Sequence, residues 1–315
     1  MTLGRMFCVV GWSLLAISAC RLSYAQTAAL LPKFRADAQL VLVPVTVTDH
    51  YGKTIQGLHQ ENFTVLDDQT RQQIASFSTA DAPCSVGLVL DISGSMRDSL
   101  HTVKEVTRAF LGTANLEDEF LLLTVSTNPE PITGFTKDLS SLETKIDSTR
   151  PGGATALIDT VYLALSRMRN AGQPRRALLI LSDGMDNHSR YSKSELMRTA
   201  LEADVQIYAI ITDGIPDRTF LVRPAMVRKP WDNGEQNQGR SLLEDLADKT
   251  GGLHFRVRSE GAGDAALKAA KAIRSQYVIG YQPDGPGDSG KWHRLQVKLD
   301  VPHLNVYARN GYYSR

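Results

Sequence analysis

Apolar and polar positions along this chain change rhythm twice. Residues 40–48 (LVLVPVTVT) alternate and are rich in β-branched side chains, and residues 63–66 and 74–77 are two further short strand patterns, joined by the polar turn Asp67-Asp68-Gln69-Thr70. Pro44 inside the first run predicts an edge strand. From Ser85 the pattern is different. Val86, Leu88, Val89 and Leu90 form a nearly continuous apolar run, as in a strand buried on both faces of a parallel sheet. A helical stripe follows, Leu100, Val103, Val106 and Phe110, with Gly112 as its stop. Buried-strand patterns recur at 119–126, 177–181, 205–212 and 253–257. Helical ones fall at 139–146, 154–168, 192–203, 241–249 and 264–274. Ser192 with Glu195 makes a capping box, and Gly251 closes the helix before it. Repeated β-α-β units predict an α/β fold: a doubly wound, mostly parallel sheet with right-handed crossovers.

The chain then returns to β patterns at 277–282, 292–299 and 305–312, with a turn at 283–290 (PDGPGDSG). The strands at either end are too few to form a stable sheet alone. They are expected to combine into one small β-sandwich, with the α/β domain inserted between its halves. The expected division is a leader over 1–25, a linker over 26–37, N-terminal strands over 38–82, the α/β domain over 83–275 and C-terminal strands over 276–315. The stretch 213–239 has no periodicity and is long for a connection. It follows a sheet strand, so it is expected on that strand's rim, as either a functional loop or an idle one.

Composition narrows the function classes. The 315 residues are 42% hydrophobic and 22% charged, and 35 basic against 34 acidic side chains leave a net charge of +1. No electrostatic footprint favours nucleic acid or an anionic membrane. The seven histidines are scattered without finger or helical spacing, so no zinc site is expected. Arg5 followed by the apolar stretch 7–19 has the form of an export signal, too short to span a membrane comfortably. Ser23-Tyr24-Ala25 before Gln26 reads as a signal-peptidase site, the preferred reading, whereas residues 17–20 resemble a lipobox that would leave a lipid on Cys20. Either way the protein is expected to be exported, periplasmic or secreted. Cys84 is then the one cysteine of the mature chain outside the leader region, read as semi-buried rather than nucleophilic.

The chemistry collects where the strand at 86–90 ends. Asp91, Ser93 and Ser95 alternate in the loop that follows, with Gly94 between the serines expected to free the turn. Open α/β sheets bind ligands at this end of their strands. Gly152-Gly153-Ala154-Thr155 puts a threonine at a helix start, and Ser182-Asp183-Gly184 puts a carboxylate at the end of another strand. Five oxygen ligands can therefore converge, a set suited to Mg²⁺, Mn²⁺ or Ca²⁺. If Asp91 and Asp183 act mainly through waters, the neutral hydroxyls leave the ion electrophilic, and a carboxylate from another molecule is its natural sixth ligand. No poised base stands beside it, so a binding role is expected rather than catalysis. At a rim, Asp91 should be replaceable by alanine without loss of the fold. Asp186, Asn187 and Ser189 are read as turn caps, Asp159 as a surface or capping acid, and Trp292, Tyr307, Tyr312 and Tyr313 as sandwich packing. Neither G-x-x-x-x-G-K-[ST] nor G-x-S-x-G occurs, and the G-x-G-x-x-G at 285–290 falls in the turn between two β patterns rather than at the start of a helix, which argues against nucleotide binding and serine hydrolysis.

Asp91-Ile92-Ser93-Gly94-Ser95, Thr155 and Asp183-Gly184 in this strand order resemble the metal-ion-dependent adhesion site of a von Willebrand factor type A (VWFA) domain, over roughly residues 84–275. The flanks, PVTVTDHYGKTIQGLHQENFTVLDDQ, YVIGYQP and the terminal RNGYY, are similar to those of exported VWFA-related proteins of acidobacteria and other soil bacteria. The resemblance implies a Rossmann-like VWFA fold and direct coordination of the ion by Ser93, Ser95 and Thr155. It implies that Asp91 and Asp183 act largely through waters. The function it implies is cation-dependent adhesion to a protein partner bearing an exposed Asp or Glu. A structural or assembly role in the cell envelope, with contacts that ignore the metal, is the alternative.

Overall fold

The computed structural model describes residues 40–79, 81–212, 242–257, 261–283 and 289–314. The leader, Cys20, the linker and the 213–239 connection lie outside the described residues. In chain order the elements are β1 (Val41–Thr48), β2 (Phe63–Asp67), β3 (Thr70–Gln72), β4 (Ile74–Ser78), β5 (Cys84–Asp91), α1 (Leu100–Leu111), β6 (Glu119–Val125), β7 (Glu130–Pro131), α2 (Leu139–Ser148) and α3 (Leu157–Met168). They continue with β8 (Arg175–Ser182), α4 (Lys193–Glu202), β9 (Gln206–Thr212), α5 (Leu242–Thr250), β10 (His254–Val257), α6 (Ala262–Arg274), β11 (Tyr277–Tyr281), β12 (Trp292–Leu299), β13 (Asn305–Tyr307) and β14 (Gly311–Tyr313).

The apolar runs from β5 onward become the central sheet, in the order β10-β9-β8-β5-β6-β7. All its pairings are parallel except that of the two-residue β7. Helices cover both faces, which explains why these strands lack polar alternation. Val86, Leu88 and Leu90 point to a core shared with α1, α2 and α6, and Val89, Leu178 and Ile180 to one shared with α3, α4 and α5. Within the sheet β5 lies between β8 and β6, so the winding reverses at β5. Its C-terminal end is the switch point, where an open sheet leaves a crevice for a ligand.

The two chain ends build the expected sandwich. One sheet runs β13-β1-β11-β4 and the other β14-β12-β2-β3. Val43, Val45 and Val47 of β1 enclose a common core with Phe63, Val65, Tyr277, Ile279, Leu295 and Val297. Three local expectations are corrected. The turn after β2 leads into β3, with Asp68 and Gln69 at φ 47° and 70°, and β4 then joins the opposite sheet. The last strand pattern is split, because β13 pairs with β1 whereas β14 pairs with β12. β1 is an interior strand, not an edge, but β13 reaches only Thr46–Thr48, so Pro44 lies where β1 has a single partner, β11.

The crossing between β13 and β14 is held against the end of α5. Gly251 stands at φ 81°, and a Cβ there would fall 2.5 Å from the carbonyl carbon of Ala308. Glycine is thus required both by its backbone conformation and by the close approach of a second chain segment. Asn310 N–H donates to the Lys249 carbonyl at 3.0 Å across the same junction. At the opening of β5, Cys84 is fully buried and its thiol donates to Asp118 Oδ1 at 3.2 Å. Burial, with the Asp118 charge adding to it, pushes this thiol up to about 12. The native protein at pH 7.5 should therefore leave Cys84 unlabelled by a maleimide, read by peptide mapping, and denaturant should expose it to rapid labelling.

Candidate metal centre

The five residues singled out in the sequence sit on three loops at the switch point. Asp91 is the last residue of β5 and is fully buried. Its Oδ1 accepts the Ser93 N–H at 2.9 Å, which folds the chain back into a single 3-10 turn at Gly94–Met96. This turn sets Ser93 Oγ 3.1 Å from Ser95 Oγ, with Ser93 buried and Ser95 open to solvent. The other Asp91 oxygen, Oδ2, accepts the Ser182 hydroxyl at 2.6 Å. Ser182 ends β8 and also accepts the Gly184 N–H at 3.0 Å, so Asp183 is carried on a loop tied directly to Asp91. Asp183 is half-buried, and its Oδ1 accepts the Met185 N–H at 2.9 Å.

The threonine loop is stitched to the first. Gly152 N–H donates to the Ile92 carbonyl at 2.8 Å, and Gly94 N–H to the Gly153 carbonyl at 3.2 Å. The glycine that this loop requires is Gly153, at φ 82°, where a Cβ would fall 2.7 Å from Thr127 Oγ1. Gly94 does not have a positive φ, so the expectation that it frees the turn is corrected. Thr155 is buried and precedes the first helical residue, Leu157, by two positions, so α3 starts later than its apolar pattern suggested.

The segment after Asp183 clamps the start of α3. Asn187 Oδ1 accepts the Thr155 N–H at 3.0 Å, and the Thr155 carbonyl accepts the Asn187 and His188 amides at 3.0 and 3.1 Å. Asp186 Oδ1 accepts the Ile158 N–H at 3.1 Å, and Ser189 Oγ accepts the Asp159 N–H at 3.1 Å. Asp159 Oδ1 in turn accepts the amides of Arg190 and Tyr191. Asp186, Asn187 and Ser189 are caps, as their sequence suggested, but the amides they cap belong to the threonine loop and helix rather than to their own turn, and Asp159 caps the segment after Asp183 in return.

All three loops therefore meet at one rim. Sequence reasoning missed two residues there: Ser182, which fixes Asp91, and Thr127, whose hydroxyl accepts the Ala154 N–H at 3.0 Å. The signal for Ser182 was its place just before Asp183 at a strand end. The picture of Asp91 as a replaceable rim residue is corrected. Its carboxylate is wholly desolvated, and alanine would strand the Ser182 hydroxyl and the Ser93 amide. Burial pushes the Asp91 carboxyl above its ordinary value, against the hydrogen bonds from Ser182 and Ser93, and the charge of Asp183 acts in the same direction as burial. Two carboxylates at the ends of the neighbouring strands β5 and β8, one of them buried, and a pair of hydroxyls 3.1 Å apart form an all-oxygen donor set that fits a hard divalent cation.

Fold and rim define a class. The family model described as a von Willebrand factor type A domain matches residues 86–185 of this chain. An uncharacterized protein of Borreliella burgdorferi is 26% identical over 200 residues, 59% of this chain. The chain spans 58% of the length of that relative. Among solved structures, a von Willebrand factor type A protein from Catenulispora acidiphila is 13% identical, covering 89% of this chain and 75% of its own, with a TM-score of 0.49. BatB from Bacteroides thetaiotaomicron is 17% identical over 60% of this chain and 99% of its own, with a TM-score of 0.43. The corresponding values for the vWF domain of the type V pili tip protein Mfa5 from Porphyromonas gingivalis are 13%, 62%, 96% and 0.44.

Proposed function

We propose that this protein binds a partner protein through a divalent cation held by Asp91, Ser93, Ser95, Thr155 and Asp183. The observation that carries the reading is the hydrogen-bonded convergence of the three loops at the end of β5, two of them on the buried Asp91 carboxylate and the threonine loop on the backbone of Ile92 and Gly94. Mg²⁺, Mn²⁺ or Ca²⁺ bound there would supply a positive, oxygen-seeking centre for an acidic side chain of the partner. The chain's own residues do the rest. Ser93, Ser95 and Thr155 offer neutral hydroxyls, so the charge of the ion is not cancelled. Asp91 is engaged through both oxygens by Ser93 and Ser182, which fixes its orientation and suits it to act through water. Met185, 57% exposed beside Asp183, gives the partner an apolar contact next to the acid.

The role is recognition rather than catalysis, and an exported, adhesion-type setting belongs to the same proposal. That location is supported by the leader-like pattern of residues 1–25. Affinity capture from the native organism, with Mg²⁺ and then with EDTA, tests the function. Captured protein should be released by EDTA and retained when Mg²⁺ is restored. Capture that EDTA leaves intact would instead favour an envelope-assembly role whose contacts need no metal.

A further inference from the structure

A second cluster of ligating side chains lies in the sandwich, assembled from opposite ends of the chain. Asp67 ends β2, Asp68 begins the turn into β3, and His293 lies on β12 opposite Tyr312 of β14. His293 Nδ1 is 3.3 Å from Asp67 Oδ1 and 3.3 Å from Asp68 Oδ2, and the three atoms lie within 4.8 Å of one another. Each carboxylate has its other oxygen fixed by the protein. Asp67 Oδ2 accepts the hydroxyls of Tyr281 and Tyr312, both at 2.8 Å, and Asp68 Oδ1 accepts the Arg294 N–H at 2.9 Å. The imidazole is oriented by stacking on Tyr312, with centroids 5.1 Å apart and planes at 15°, while its Nε2 is buried without a hydrogen bond.

Asp67 is only 5% exposed, and its Oδ1, the atom turned to the imidazole, is buried with no hydrogen-bond partner among the described residues. An unpaired oxygen on a buried carboxylate is costly unless something cationic meets it. A proton on Nδ1 answers poorly, since that nitrogen is equidistant from two oxygens and makes an aligned hydrogen bond to neither.

We propose that Asp67, Asp68 and His293 form a second cation site, for a first-row transition ion of the Zn²⁺ type, separate from the sheet-rim residues. Imidazole with carboxylate selects such an ion over Mg²⁺. Ligand atoms about 2.0–2.1 Å from a tetrahedral ion lie about 3.3–3.4 Å apart, which matches both observed separations from Nδ1. The two tyrosine hydroxyls and the Arg294 amide would hold the carboxylates in place, and the protein's three ligands leave a position for water or a fourth ligand. The histidines showed no spacing in the sequence because this site is made by strand pairing, not by a local motif.

The test uses the full chain carrying Asp91→Asn, in Mg²⁺-containing buffer, titrated with Zn²⁺ by calorimetry and with Co²⁺ by visible absorption. One saturable ion per chain is expected, and His293→Gln or Asp68→Asn should each weaken it by at least about tenfold. Asp68→Asn keeps an oxygen for the Arg294 amide, and asparagine tolerates the positive φ of this turn, so that variant should fold. Circular dichroism confirms that both variants are folded. Identical Zn²⁺ isotherms in all three proteins, or no binding in the Asp91→Asn chain, would overturn the site and leave His293 as a structural latch between two aspartates. Failure of the rim site would appear separately, in the Mg²⁺ titration of the unsubstituted protein.

Discussion

Asp91→Asn is expected to weaken Mg²⁺ binding by about 10–100-fold, in the range found for groups that orient a metal's ligands, with little change in the thermal midpoint. The amide oxygen can still accept the Ser93 N–H, and the amide nitrogen can meet Ser182 Oγ, so the turn that presents Ser93 and Ser95 survives. What is lost is the buried negative charge. Alanine is the poorer probe, because two polar groups would lose their acceptor in a dry site and the fold would weaken as well. Calorimetry with Mg²⁺ alongside a thermal melt separates the two effects. Unchanged Mg²⁺ affinity in a folded Asp91→Asn protein would remove Asp91 from the site.

Asp118→Ala should destabilise the protein by about 3–5 kcal/mol, because it breaks a buried ion pair and leaves a charge unmatched. Asp118 is almost wholly buried between the start of β5 and the end of α6. Its oxygens accept the Cys84 amide at 3.0 Å, the Asn115 amide at 2.8 Å and the guanidinium of Arg274, the last residue of α6. Burial pushes the Asp118 carboxyl up, but the hydrogen bonds from the Asn115 and Cys84 amides and from Arg274 outweigh it, so it lies below its ordinary value of 3.8. A carboxyl depressed in the folded state contributes stability that is full above the unfolded value and is lost as pH falls through the folded one. The parent should therefore lose stability below about pH 4 more steeply than Asp118→Ala does. Urea midpoints measured between pH 3 and pH 7 give both the size of the loss and its pH dependence.

Most of the central sheet was legible because buried parallel strands announce themselves. Val86 to Leu90 and Leu178 to Leu181 carry no polar alternation, and the structure buries them on both faces. The five rim residues could be read for a related reason: each stands where an apolar strand stops or a glycine loop meets a helix. Features formed by pairing at long range were hidden. β3, β13 and β14 have three residues each, too few to show a period, so the switch of the chain between sheets near Arg309 left no local trace. The proline rule misplaced β1 because it judges a whole strand, whereas only the half containing Pro44 lacks a second neighbour. Ser182 and Thr127 escaped notice because a lone hydroxyl has no motif. Their roles depend on which loop lies opposite.

The most direct measurement is the anomalous density of crystals of the intact chain grown with Mn²⁺. A peak coordinated by Ser93 Oγ, Ser95 Oγ and Thr155 Oγ1, at about 2.0–2.3 Å, is the expected result. A structure in which these three hydroxyls bind no Mn²⁺ at saturating concentration would contradict the proposed mode of recognition.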